Sequence, residues 1–175
     1  MLRAWRAADA PALAPVLVAN VAHLAPWIPA HVAAPAPLSA LAARLVGFAA
    51  DFTAGRSYRY ALLTPDESRV LGEADLFPRA ATGRVPLLEA DRAELGYWLD
   101  AAVTGQGLAT EAMRALLEVA AAVSVFGHAE IRCHGENAPS IAVARRLGFD
   151  LASVEAETQV WRKTLSITAL ALRLE

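Results

Sequence analysis

Thr104-Gly105-Gln106-Gly107-Leu108-Ala109-Thr110-Glu111-Ala112 is a glycine turn that runs straight into a helical pattern. Behind it Met113, Leu116, Leu117 and Ala120 recur at helical spacing, and Glu111, Arg114 and Glu118 are left for another face. Upstream, Glu94-Leu95-Gly96-Tyr97-Trp98-Leu99 reads as a buried strand, so the unit is strand, loop, helix. Such a loop presents backbone N–H groups and the positive end of a helix dipole, and its glycines let a phosphate reach the main chain with no Cβ in the way. Two other phosphate loops do not fit. A Walker loop needs Gly-Lys-Ser/Thr, whereas Gly107 is followed by Leu108. A dinucleotide fingerprint needs three spaced glycines in a first βαβ unit and an acidic residue about 20 positions on.

A second segment, Asn137-Ala138-Pro139-Ser140-Ile141-Ala142-Val143-Ala144-Arg145-Arg146-Leu147-Gly148-Phe149, reads as a well-capped helix. Asn137 is a natural N-cap, Pro139 suits a first turn, and Gly148 before Phe149 is a left-handed stop with its apolar contact. The strand-like Ala129-Glu130-Ile131-Arg132-Cys133 lies between the two segments.

Residues 104–109 resemble the acyl-coenzyme A pyrophosphate loop of the GNAT superfamily of N-acetyltransferases, Gln/Arg-x-x-Gly-x-Gly/Ala. The match is at Gly107 and Ala109, with Thr104 standing where the pattern has Gln or Arg. The second segment resembles that superfamily's Asn-x-x-Ser-Ile stretch with its Leu-Gly-Phe helix ending. Toward the N-terminus, Leu2-Arg3-Ala4-Trp5-Arg6 with Asp9, and His23-Leu24-Ala25-Pro26-Trp27-Ile28-Pro29, are similar to the RimJ/RimL-type branch, which acetylates protein N-terminal amines. Phe48, Phe52, Gly55 and Tyr58-Arg59-Tyr60-Ala61-Leu62 continue the likeness, and residues 77–92 and the last twenty match least.

The resemblance implies an α/β (α+β) fold: a mixed, mostly antiparallel central sheet of about seven strands with helices on both faces, in one domain over 1–175. It implies acetyl-CoA as co-substrate and direct acetyl transfer to a primary amine, a protein N-terminal α-amine first. A small-molecule amine acetyltransferase and a non-catalytic acyl-CoA-binding module are the alternatives. The coenzyme would contact Thr104, Gly105, Gln106, Gly107, Leu108, Ala109, Thr110, Asn137 and Ser140, with the main chain around Tyr97, Trp98 and Leu99 polarising the thioester carbonyl. Many members present a tyrosine to the departing thiolate, and the position that would carry it here is Ala144. In RimL-type proteins a serine at the position of Ser140 takes that place.

The acceptor amine calls for a base only as far as it is protonated. A chain-terminal amine titrates near 7.7–8.0 and lysine near about 10.4, so an α-amine needs far less help. Glu94 is the first base candidate, a carboxylate that strand alternation puts on the face of Gly96 and Trp98. A surface carboxylate at a strand end is the plain alternative. His134, ending the next strand, is the second candidate. The Pro26-Trp27-Ile28-Pro29 turn is expected to wall the amine side, with Trp27 as its aromatic surface. Cys133 and His134 are strand neighbours and point to opposite faces, which spoils a dyad. His128 and His134 lie about 20 Å apart on a continuous strand, so no metal site is expected.

Composition sets limits. The 175 residues carry a formal charge of −2 and no basic footprint, so nucleic acid is not an expected partner. Mean hydropathy is +0.36, yet prolines, Asn20 and two histidines interrupt the uncharged stretch 11–43, which argues for soluble helices and against a membrane span. No basic, apolar leader opens the chain. One cysteine excludes an intrachain disulfide and fits a reducing cytoplasm. A homodimer is left open. Expected elements are strand 2–6, helix 9–25 capped by Asp9, helix 39–54 capped by Ser39, strands 57–63, 69–76 and 93–99, helix 107–123, strand 129–134, helix 138–147, and strands near 150–162 and 167–174.

Overall fold

Gly72 has no room for a side chain: a Cβ there would lie 2.1 Å from the Trp98 carbonyl oxygen. Only glycine lets β3 (Val70–Ala80) approach its neighbour β5 (Arg92–Leu99) so closely. The computed structural model describes residues 1–166, which fall into two units. One comprises Met1–Asp75 and Tyr97–Ala109, the other Leu76–Gly96 and the chain from Thr110 onward. The strands β3 and β5 run through both, so each unit holds its own stretch of that pair.

In the first unit the strand order is β1-β2-β3-β5, with β1 (Leu2–Ala4) antiparallel to β2 (Tyr58–Leu63). Helices α1 (Ala10–Ala19), α2 (Val21–Leu24), α3 (Ala30–Ala33) and α4 (Leu38–Thr53) precede β2. The apolar sides of α1 and α4 place Leu13, Leu17, Leu41 and Leu45 in one core with Trp5, Ala61, Leu63, Val70 and Trp98. Leu17, Leu41 and Leu45 are fully buried, each contributing about 1.5–3 kcal/mol.

The expected helix 9–25 is two helices, and Asn20 is the reason. Its Nδ2 donates to the Val16 carbonyl at 2.9 Å and to Asp100 Oδ1 at 3.0 Å, and its Oδ1 accepts the Ala101 N–H at 2.8 Å. A side chain bonded to its own i−4 carbonyl competes with the helical ladder. Asp9 does not cap α1 with its side chain; its carboxylate instead closes the capping box of the short turn Ala7–Asp9 by taking the Arg6 N–H, and it pairs with the Arg3 guanidinium. Ser39 lies inside α4, which has Pro37 at its N-cap.

In the second unit the order is β4-β3-β5-β6-β8-β7. The short β4 is Gly83–Arg84, β6 is His128–His134, β7 is Asp150–Glu155 and β8 is Thr158–Thr164. Arg92–Leu95 pairs parallel with 128–131, whereas β6 with β8 and β7 with β8 are antiparallel. Helix α5 (Leu108–Ala122) begins at the unit boundary, and α6 (Ala138–Arg146) follows β6. The expected strand 150–162 is a hairpin, turned where Ala156 adopts φ 53°. With β4 this makes eight strands among the described residues. The expected strand 167–174 lies outside them.

Candidate active site

The glycine loop belongs to the first unit and hangs from a single-turn 3-10 helix, Ala101–Val103. Asp100 caps that turn by accepting the Ala102 N–H, and its own N–H donates to the Leu71 carbonyl at 2.8 Å. Asn20, 2% exposed, bonds both Asp100 and Ala101. The Thr104 hydroxyl donates to the Ala101 carbonyl at 2.9 Å; this residue, which replaces Gln or Arg in the pattern, therefore closes the turn. Sequence reasoning missed Asn20 as an anchor, because its partners lie some eighty positions away in the chain.

Gly105 and Gly107 have φ of 74° and 85°, a left-handed backbone that other residues adopt only under strain. A Cβ on either would meet no atom within 4 Å. The loop is thus open on the side where its glycines sit, and α5 starts at Leu108. This arrangement fits a pyrophosphate laid on backbone N–H groups. Trp98 is buried and its indole Nε1 has no hydrogen-bond partner, which leaves an unused donor beside the strand backbone of Tyr97 and Leu99. Trp27 is 39% exposed, in a turn whose Trp27 and Ile28 N–H groups both donate to Leu24.

In the second unit, the pairing of β5 with β6 ends at Leu95. Glu94 is buried, and its two oxygens accept from Arg79 at 2.7 Å and Arg84 at 2.5 Å. Neither the open base nor the strand-end surface carboxylate describes it; Glu94 is an ion-paired counter-charge with both oxygens taken. His134 is similarly engaged. Its Nδ1 accepts the Glu136 N–H at 3.2 Å, which puts the ring proton on Nε2, 3.2 Å from Glu157. The Nδ1 lone pair is therefore occupied.

Asn137 caps α6 as expected, its Oδ1 accepting the Ser140 N–H at 3.2 Å. Ser140 is half-buried in the first turn, and Ala144 is fully buried in the same helix. Thr110 in the first turn of α5 accepts from Arg146 at 2.9 Å, a link between α5 and α6 that sequence reasoning also missed. Burial pushes the half-buried Cys133 thiol up, which keeps it protonated near neutrality. Among the described residues no cluster of His, Cys, Asp and Glu has metal-holding geometry, and no helix is long and apolar enough to cross a membrane.

The acetyltransferase (GNAT) domain family matches residues 1–150. The chain belongs to the GNAT acetyltransferase family. Ribosomal-protein-serine acetyltransferase of Escherichia coli strain K12 is 41% identical over 59 residues, which are 34% of this chain and 33% of that protein. The aligned stretch thus spans about a third of the curated relative's length. Among solved structures, RimL, a ribosomal L7/L12 alpha-N-protein acetyltransferase in complex with coenzyme A, superposes with a TM-score of 0.80 at 21% identity, over 95% of this chain and 94% of that one. RimJ of Mycobacterium smegmatis, in complex with a CoA disulfide, gives a TM-score of 0.76 at 23% identity, over 93% and 80%. The microcin C7 self-immunity acetyltransferase MccE, in complex with acetyl-CoA and AMP, also gives 0.76, at 18% identity over 93% and 91%. At these identities the likeness is one of fold: a GNAT-type mixed sheet with helices.

Proposed function

We propose that this GNAT-family chain is an acetyl-CoA-dependent N-acetyltransferase whose acceptor is a protein N-terminal α-amine. The observation that carries it is the glycine loop, with Gly105 and Gly107 held left-handed and open at the start of α5. Acetyl-CoA would supply a thioester whose acetyl carbon takes the amine nitrogen and whose thiolate leaves. The backbone N–H groups of residues 105–109 would bind its pyrophosphate, with Asn20 and Asp100 holding the loop in place. The main chain of Tyr97, Trp98 and Leu99 would direct a donor at the oxyanion. The Ser140 hydroxyl would donate a hydrogen bond to the thiolate, and Asn137 fixes the turn that carries it.

The acceptor follows from what the site does not provide. At pH 7 about a tenth of α-amines are neutral, against fewer than about one lysine in a thousand. With Glu94 locked between two guanidiniums and His134 using both ring nitrogens, a site short of open bases suits the amine that needs none. Trp27 would wall the acceptor side. The RimJ/RimL-like N-terminal segment and the ribosomal-protein relatives support the same acceptor class, and the lone thiol supports a cytoplasmic setting.

The test is thermal stabilisation by acetyl-CoA, which at a hundredfold excess over Kd amounts to about 2.7 kcal/mol. Gly107→Val forces a β-branched residue into φ 85° and is expected to abolish that stabilisation; Asn20→Leu should weaken it. Unchanged stabilisation in Gly107→Val would remove the loop from the site. Coenzyme binding with no thiol release on any amine would leave a binding module instead of an enzyme.

A further inference from the structure

Of the four tryptophans in the chain, Trp5, Trp98 and Trp161 are each at most 4% exposed. An indole carries one polar atom, an N–H that donates and never accepts. In two of the three rings the fold answers it. Trp5 Nε1 donates to Glu73 at 2.8 Å, and Trp161 Nε1 donates to Gln159 Oε1 at 3.1 Å. Trp98 Nε1 has no acceptor among the described residues. A buried donor left unanswered destabilises a fold, and phenylalanine would fill an apolar core without bringing one. The N–H at position 98 is therefore matched to a partner from outside the described chain.

The surroundings of the ring tell from which side that partner comes. Trp98 belongs to the core of the first unit, with Leu13 and Leu17 of α1, Val32 and Ala33 of α3, and Leu41 and Leu45 of α4. Side chains alternate along β5, so Tyr97 and Leu99 project to the other face. Ile28, from the Pro26–Pro29 turn proposed for the acceptor side, packs against this same core. The backbone that carries the ring is held closely. The Trp98 carbonyl oxygen lies only 2.1 Å from where a Cβ on Gly72 would be. Asp100, two residues on, donates its N–H to the Leu71 carbonyl at 2.8 Å and accepts from Asn20 at 3.0 Å. A donor on so fixed a stem is set in place before any ligand arrives.

We propose that the Trp98 indole N–H donates a hydrogen bond to the first peptide carbonyl of the acceptor chain, and so selects an N-terminal α-amine by its neighbouring oxygen. The inference rests on the acetyltransferase reading and adds a named contact to it. A group that only donates matches a carbonyl oxygen and repels an ammonium. In an N-terminal residue that carbonyl is attached to the very carbon that bears the amine. A lysine amine ends a run of methylenes and has no carbonyl beside it. This selection is independent of the one by pKa, since the indole reads an oxygen and the base-poor site reads a proton. The coenzyme's amide carbonyls are the rival partner for the indole.

The experiment compares a peptide carrying a free N-terminus with the same peptide whose first peptide bond is a trans-alkene, which keeps the shape and removes the carbonyl. Rates are referred to the neutral fraction of each amine. The ratio of kcat/KM values should favour the carbonyl about tenfold, the size of one neutral hydrogen bond. Trp98→Phe, which keeps the strand backbone and loses the N–H, should bring that ratio close to one. A ratio near one in the wild type, or the full ratio in a folded Trp98→Phe, would overturn the proposal. Should the variant not fold, the indole N–H resonances of the wild-type protein decide, with the Trp98 signal identified by elimination through Trp5→Phe, Trp27→Phe and Trp161→Phe. That signal should move when the peptide is added to the protein with coenzyme A bound, and move far less with the alkene peptide. A signal that moves with coenzyme A and not with peptide would give the donor to the coenzyme, and one that moves with neither would leave it without a ligand; each overturns the proposal. Movement on peptide binding with no acetyl transfer would sink the enzymatic reading only. Acetylation of free N-termini indifferent to the carbonyl would sink the indole contact only.

Discussion

Glu73 in the first unit and Glu130 in the second are both almost wholly buried, 2% and 1% exposed, and yet their pKa values move in opposite directions. Burial pushes both up, since it penalises the charged form. At Glu73 that effect wins. Its oxygens accept from Arg59 at 2.8 Å and from the Trp5 indole at 2.8 Å, and these donors oppose the burial without overcoming it. At Glu130 burial is overcome, first by the hydrogen bond and charge of Arg162 and then by Arg92 and His128. The difference teaches that exposure alone does not set the direction for a buried carboxylate; the guanidiniums that reach it, one at Glu73 and two at Glu130, decide whether burial is overcome.

The largest effect expected is from the cation that bridges two acids. Arg59→Met should cost about 3–5 kcal/mol at pH 7, because it strands buried carboxylates, and less as pH falls, because burial raises the Glu73 pKa and its protonation removes a stranded charge. Arg92→Met, in the richer cluster, should cost only about 1 kcal/mol, since Arg162 still holds the same oxygen. Urea denaturation measures both, and equal losses would break the comparison.

A smaller effect gives opposite pH slopes. A carboxyl raised in the folded state binds more protons folded than unfolded, so the stability it contributes falls as pH rises above its ordinary 4.5. Relative to wild type, Glu73→Gln should therefore gain stability as pH rises above 4.5. Glu130 is lowered, so its contribution is present above about 4.5 and lost on acidification; Glu130→Gln should lose most at neutral pH and least near pH 3. Parallel profiles for the two variants would contradict this reading of the two sites.

The smallest effects come from the neutral partners. Trp5→Phe removes one hydrogen bond to Glu73 and should cost about 1 kcal/mol. His128→Asn, which disturbs a contact of 3.4 Å, should cost under about 0.5 kcal/mol. A reversed order would show that hydrogen bonds from neutral partners, and not guanidiniums, hold these clusters.

The parts legible in the sequence were those whose causes are local. Gly148 takes the positive φ that its helix stop suggested, the glycine turn runs into α5, and Asn137 caps α6. What escaped depends on partners far along the chain. Nothing near Asn20 announces Asp100, so one long helix was expected where the structure has two. Ala156 turns a hairpin without glycine or proline to mark it. The roles of Glu94 and His134 depended on register: which arginine of β3 or β4, and which acid at the start of β8, would stand beside them. Alternation gave the face of Glu94 and was silent about its company.

The α-amine acceptor proposed above rests on Glu94 and His134, the two base candidates, being already engaged by Arg79, Arg84, Glu136 and Glu157. Mass spectrometry, after incubation with acetyl-CoA, of peptides with a free N-terminus and of N-blocked peptides with an internal lysine tests it most directly. Acetylation of the free N-terminus is expected, rising with pH up to about 8 as the amine deprotonates. Faster acetylation of the blocked lysine peptide would contradict both the acceptor class and the conclusion that Glu94 and His134 are already occupied by their neighbours.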